Sequence, residues 1–160
     1  MNPVKKYQPN KIEKKWQKIW REKAVYEPDL NKAKKPFYNL MMFPYPSAEG
    51  LHVGNVYAFT GADIYGRFQR MRGYDVFEPI GLDVFGIHSE NYALKIRRHP
   101  AVQAKISEKR FYKQLESIGN GFAWNEKLET YNPEYYRWTQ WIFVQMFKNG
   151  LAYRKKAPVN

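Results

Sequence analysis

Between Phe37 and Asn55 an apolar run, a proline-punctuated loop and a helical pattern follow one another in the order that a parallel α/β unit requires. Phe37-Tyr38-Asn39-Leu40-Met41-Met42-Phe43 is short, apolar and bounded by Pro36 and Pro44, the pattern of a buried strand. Two prolines and a glycine in Pro44-Tyr45-Pro46-Ser47-Ala48-Glu49-Gly50 predict a loop. Helical spacing returns from His52 to about Met71, and Gly73 marks its stop. Tyr74 to Ile80 then reads as a second strand, and 81–86 as a turn-rich loop. Strand, loop, helix and strand make the βαβ block from which parallel doubly wound sheets are built. The predicted fold class is α/β, a parallel sheet with a helix before it. Ligands of such sheets bind at the carboxyl ends of the strands, where both 44–50 and 81–86 fall.

The flanks predict further helices. Asn10 to Ala24 has Ile12, Trp16, Ile19 and Trp20 on one face, with Asn10 as its expected cap and Glu13 completing a capping-box pattern. Ser89–Arg97 predicts a short helix and 102–118 a longer one, before a loop at 119–125. Pro133 opens a helix through Phe147 that Gly150 ends, and 151–155 predicts a strand. Within that helix Trp138, Trp141, Ile142, Gln145 and Met146 recur at helical spacing and are expected in the core. Asp63 and Arg67 form an i, i+4 pair, a type worth little on an exposed helix.

Composition narrows the function classes. An aromatic fraction of 18% argues against a disordered tail. The formal charge of +12 suggests a polyanionic partner, nucleic acid first. The excess is concentrated in two places. Residues 1–36 hold eleven Lys and Arg against four acids, and 95–113 hold seven against Glu108 alone. With no cysteine, disulfides and thiolate metal sites within the chain are excluded. No run of about 18 apolar residues is present, so no membrane partner is expected. No apolar signal core follows Met1-Asn2-Pro3-Val4-Lys5-Lys6, and the expected location is cytoplasmic.

The chemistry centres on Phe43 to Asn55. A helix that starts after a strand turns free backbone N–H groups and a positive dipole end toward its ligand, a natural seat for phosphate. Gly54 lets a base or sugar lie close to the backbone. His52 and Asn55, three apart, project from one side of the first turn as donors.

His52-Val53-Gly54-Asn55 resembles the HIGH motif of the class I aminoacyl-tRNA synthetases, with Asn55 where that motif ends in His. Met41-Met42-Phe43-Pro44-Tyr45-Pro46-Ser47 and Gly50-Leu51-His52 resemble the leucine-type members of this family. So does Pro79-Ile80-Gly81-Leu82-Asp83-Val84-Phe85-Gly86-Ile87-His88-Ser89-Glu90-Asn91, although Leu82 stands where the family has Trp and His88 where it has Pro. Asn132 to Phe143, Lys148 to Tyr153 and Pro158-Val159-Asn160 are further leucine-like blocks.

The resemblance implies a Rossmann-like catalytic domain. It divides the chain into a helical extension, 1–34, and the first half of that domain, 35–160, ending before an editing insertion. It implies ATP-dependent activation of leucine and transfer to tRNA(Leu), with Mg2+ accompanying ATP, no protein metal site, and a monomer in the full-length enzyme. It assigns His52 and Asn55 to catalysis, and Gly50, His52, Gly54 and Asn55 to ATP. Met42, Phe43, Tyr45 and Asp83 fall to leucine, Asp83 being the carboxylate that holds the amino group. His88 is expected to be a surface histidine. No lysine-containing KMSKS segment, the family's second nucleotide signature, occurs in the 160 residues. Two alternatives stay open: a methionine, isoleucine or valine member of the class, and a non-catalytic RNA-binding paralogue.

Overall fold

The computed structural model describes residues 6–46 and 50–158. Expectations for Met1–Lys5, for Ser47, Ala48 and Glu49 of the loop, and for Val159 and Asn160 lie outside the described residues.

Helix α1 (Pro9–Glu22) starts one residue earlier than its sequence pattern suggests. Pro9 sits in the first turn, where its missing N–H is no loss, and Gln8 precedes it without a side-chain cap. Asn10 is therefore inside the helix, and the expected capping box with Glu13 does not form. Strand β1 (Pro36–Tyr38), helix α2 (Val53–Met71) and strand β2 (Asp75–Phe77) form the expected βαβ unit. The two strands pair in parallel, Phe37 opposite Val76. Gly73, at φ +83°, ends α2 while the Tyr74 N–H bonds to the Gln69 carbonyl at 3.1 Å.

Beyond β2 the chain stays extended, but Pro79 has no N–H to offer a ladder. Pairing resumes in β3 (Gly81–Leu82), which lies parallel to β4 (Leu128–Glu129). The expected loop at 81–86 thus begins with a strand, and the expected second strand, Tyr74 to Ile80, is shortened to Asp75–Phe77. Single bonds bridge the gaps: Ala123 N–H to the Glu78 carbonyl at 2.8 Å, Asp83 N–H to the Pro44 carbonyl at 3.1 Å. Segment 75–83 is consequently flanked by 36–44 on one side and 123–130 on the other. The loop expected at 119–125 carries a 3-10 turn, Trp124–Glu126.

Helices α3 (Ile87–Lys95) and α4 (Pro100–Ile118) connect β3 to β4. Each starts two residues ahead of its sequence pattern. For α4 the reason is local: His99 accepts the Ala101 N–H on Nδ1 at 3.2 Å, and Pro100 fits the first turn. Helix α5 (Pro133–Lys148) is capped by Asn132, whose side chain accepts the Glu134 N–H at 3.2 Å. The strand expected at 151–155 does not form.

Phe59 of α2, Ile80, Leu82 and Val84 of the central segment, Phe111, Tyr112 and Leu115 of α4, and Phe122 make the core. The faces of Phe59 and Phe122 meet edge-on, centroids 6.2 Å apart. The α5 residues do not join this core. Trp138 is 57% exposed and Trp141 56%, and no α5 residue is buried. Helical spacing reports which side chains share a face; whether anything covers that face is a separate, tertiary fact.

The Asp63–Arg67 pair is more than an isolated helix pair. Asp63 is buried and accepts Arg67 Nε at 2.7 Å and the Gly121 N–H at 2.6 Å. Arg67 also bonds to the Tyr26 hydroxyl and the Gly119 carbonyl, and its guanidinium lies over the Trp20 ring. This network fastens the N-terminal extension to α2 and to the loop before β4. Its carboxylate is satisfied on both oxygens, the condition under which a buried charge is tolerated.

Glu78 is the less comfortable neighbour. It is fully buried, 3.6 Å from Arg70, and neither carboxylate oxygen has a hydrogen-bond partner of normal geometry among the described residues. Burial pushes its carboxyl up to about 7, against the opposing pull of Asn39 and Arg70.

Candidate functional site

The loop between β1 and α2 is held at both ends. At its far end, Gly50 adopts φ +108°, a conformation that a side-chain-bearing residue rarely takes. The Leu51 N–H donates to Gln114 Oε1 of α4 at 3.0 Å, and the His52 N–H to Asn55 Oδ1 at 3.2 Å. His52 is extended, φ −104° and ψ 168°, and is the residue from which α2 springs. Its exposed imidazole folds back over the first turn, 3.0 Å from where a Cβ on Gly54 would stand. The Asn55 N–H bonds to the His52 carbonyl at 3.0 Å. Among the described residues the N–H groups of Val53 and Gly54 have no acceptor. These two, with His52 and the NH2 of Asn55, compose a donor set at a positive helix end.

At the near end, Tyr45 reaches across to the start of α3. Its hydroxyl accepts the Ser89 N–H at 3.2 Å and meets Ser89 Oγ at 3.0 Å. The tyrosine oxygen thereby shares a first-turn N–H that also reaches the Gly86 carbonyl at 3.1 Å. The ring crosses Gly86 so closely that a Cβ there would lie 2.1 Å from the hydroxyl. Phe43 packs in the same manner across Gly81. Pro44 and Pro46 are buried, and the Asp83 N–H is tied to the Pro44 carbonyl.

Asp83 is exposed and opens onto a cavity of about 930 Å3, lined also by Pro46, Phe85, Ser89, Tyr131 and Tyr136. That volume lies within the range of small-molecule sites. His52 and Asn55 do not line it. Of the residues singled out in the sequence, Phe43, Tyr45 and Asp83 come together at one end of the loop, and Gly50, His52, Gly54 and Asn55 at the other. Met42 is 71% exposed. His88 is on the surface as expected. Two contributors escaped the sequence reading: Gln114, 63 residues from the amide it holds, and Ser89. No local pattern marks either one. Among the described residues no group of three or more His, Cys, Asp or Glu could hold a metal ion, and no helix is long and apolar enough to cross a membrane.

A parallel βαβ unit with open donors at the helix start and a carboxylate at the next strand end places the chain among the parallel α/β proteins. Comparison with known proteins narrows this. The family model described as tRNA synthetases class I (I, L, M and V) matches residues 15–160, and the chain belongs to that family. It is 46% identical over 157 residues to a leucine--tRNA ligase of Alkaliphilus oremlandii, covering 98% of this chain and 20% of that protein. Identity to the leucine--tRNA ligase of Thermosipho melanesiensis is 47%, covering 98% of this chain and 19% of that one. The LeuRS of Agrobacterium radiobacter K84 agnB2, solved as a ternary complex with tRNA and LeuAMS, matches with a TM-score of 0.86 at 34% identity, over 95% of this chain and 20% of its own. Mycobacterium tuberculosis methionyl-tRNA synthetase, in complex with methionyl-adenylate, shares the fold: TM-score 0.61, 24% identity, 72% of this chain and 22% of that one. The chain spans about a fifth of the length of the curated relatives it matches.

Proposed function

We propose that this chain provides the ATP-phosphate and leucine-ammonium side of a leucine--tRNA ligase active site. In this reading residues 1–34 are a helical extension and 35–160 the first half of the Rossmann-type catalytic domain. The observation that carries it is the loop 43–52, which joins an open helix N-terminus at one end to the Asp83 strand end at the other. The 46% identity to a leucine--tRNA ligase over 98% of the chain supports leucine as the amino acid.

Two steps follow. A carboxylate oxygen of leucine attacks the α-phosphorus of ATP, and the bond to pyrophosphate breaks, giving leucyl-adenylate. A hydroxyl at the 3′ end of tRNA(Leu) then attacks the carbonyl carbon, and AMP leaves. His52, the NH2 of Asn55 and the Val53 and Gly54 N–H groups meet the negative charge that grows on the phosphate oxygens. Gly50 supplies the positive-φ turn beneath the nucleotide end, and Gly54 leaves room for the His52 ring there. Asp83 receives the leucine ammonium, with Tyr45, Phe43 and the Met42 backbone forming the wall beside it. Mg2+ would accompany the ATP phosphates and help neutralise their charge. Exposed cations of α1 and α4, such as Lys14, Lys18, Lys109 and Lys113, suit contact with tRNA phosphates.

Asp83→Asn tests the assignment of the amino-acid end. Loss of a charge-assisted bond, about 1.5–3 kcal/mol, is expected to raise the KM for leucine about 10- to 100-fold in leucine-dependent pyrophosphate exchange. The KM for ATP should change less than about twofold, because Asp83 lies at the other end of the loop from the phosphate donors. Equal damage to both constants would make Asp83 a loop-shaping residue. Because the chain covers a fifth of its relatives, the assay is run with it joined to the remainder of a full-length ligase.

A further inference from the structure

We propose that Gln114 is a positioning residue for the nucleotide end of the site, holding the turn from which His52 and the phosphate donors are presented. The inference deepens the proposed activation of leucine by ATP and rests on that reading. Gln114 sits on α4, whose neighbouring residues Phe111 and Leu115 are 1% and 0% exposed in the core. Its backbone is therefore fixed, and its side chain reaches out from a rigid support. The reach ends on the loop. Oε1 accepts the Leu51 N–H at 3.0 Å, and the side-chain amide fills the space in which a Cβ on Gly50 would stand, at 2.4 Å from Oε1 and 2.7 Å from Nε2.

The consequence for the phosphate seat is specific. Two successive N–H groups ahead of α2 are each taken by a side-chain amide oxygen, Leu51 by Gln114 and His52 by Asn55. The donors left for a ligand are the next pair, Val53 and Gly54. Release of Leu51 would remove the α4 anchor from the segment that leads into His52. Preorganised donors lose most of their value once they can wander, because reorientation must then accompany the reaction. The same helix carries Gln103 and Ser107 into the lining of the Asp83 cavity. From Gln103 to Gln114 is eleven residues, about 16 Å of helix at 1.5 Å per residue. α4 is thus one strut touching both ends of the site, and Gln114 is its contact at the nucleotide end.

The test uses the whole chain with three substitutions. Gln114→Leu keeps the bulk and removes the acceptor, Gln114→Ala removes both, and Gln114→Glu retains an acceptor oxygen for the Leu51 N–H. Amide hydrogen exchange of Leu51 is followed by NMR, with Phe111 and Leu115 as internal references. Binding of ATP alone and of leucine alone is measured by calorimetry. For Gln114→Leu and Gln114→Ala, Leu51 exchange should quicken about tenfold and ATP binding weaken about fivefold, the worth of one backbone hydrogen bond. Exchange at Phe111 and Leu115 and affinity for leucine should stay within about twofold of the parent, since both lie outside the turn. Gln114→Glu should restore Leu51 protection, which a purely steric role would not predict. Unchanged Leu51 exchange in Gln114→Leu overturns the proposal, as does faster exchange with unaltered ATP affinity. A parent chain that binds no ATP would defeat the functional reading instead, while Leu51 exchange would still decide whether Gln114 holds the turn.

Discussion

Replacing His52 with alanine is expected to slow leucine-dependent pyrophosphate exchange about 100- to 1,000-fold, a loss of about 2.7–4 kcal/mol of transition-state stabilisation. His52 and Asn55 also form a capping box, the Asn55 N–H turned to the imidazole and the His52 N–H to Asn55 Oδ1. Deleting the ring therefore removes a donor from the phosphate end together with one cap contact of α2, and a cap is worth only about 1 kcal/mol. Leucine affinity should change less than about threefold, since its ammonium is assigned to Asp83 at the other end of the loop. Rapid-quench measurement of adenylate formation, alongside equilibrium binding of leucine, separates the two quantities. Parallel losses in binding and in rate would show that His52 only shapes the turn.

Glu78→Gln is expected to stabilise the fold at pH 8 by about 3 kcal/mol and to leave it unchanged near pH 4. The wild-type carboxyl is raised by burial from 4.5 to about 7. Below 4.5 it is protonated in the folded and unfolded chain alike, so folding moves no proton. Between 4.5 and about 7 the unfolded chain releases its proton while the folded chain keeps it. Fewer protons on the unfolded state mean that stability falls as pH rises, with the loss complete above about 7. Denaturant melts at half-unit steps from pH 4 to 8 should show that slope in the wild type, and Glu78→Gln should flatten it. An unaltered slope would mean that the Arg70 pair, 3.6 Å away, keeps Glu78 ionised throughout.

Much of this architecture is legible in one sequence because local chemistry decides it. Pro133 stands in the first turn of α5, as its sequence pattern has it, whereas Pro9 and Pro100 open α1 and α4 one and two residues ahead of theirs. Gly73 and Gly150 take positive φ where α2 and α5 stop. The apolar run, punctuated loop and amphipathic helix from Phe37 onward suffice for the βαβ unit, and with it for the two strand ends that carry the candidate residues. Strand extent was not legible, because pairing depends on partners. Pro79 interrupts the ladder, and β3 exists only through Leu128 and Glu129, more than forty residues on. The same limit hid Gln114, whose role comes from where α4 is anchored, and it made Asp63 resemble half of an ordinary helix pair. Its second partner, the Gly121 N–H, is 58 residues away. For Trp138 and Trp141 the periodicity is real, with T-shaped rings 6.4 Å apart, yet they stand exposed.

The central claim is that one loop presents a phosphate seat and a leucine ammonium site together. Its most direct test is calorimetric titration of the chain, joined to the remainder of a full-length ligase, with a non-hydrolysable leucyl-adenylate analogue, beside the methionyl and isoleucyl analogues. A single site is predicted, with the leucyl compound bound about tenfold or more tightly than the others, and with both His52→Ala and Asp83→Asn weakening it. Equal affinity for all three analogues, or binding indifferent to both substitutions, would contradict the account.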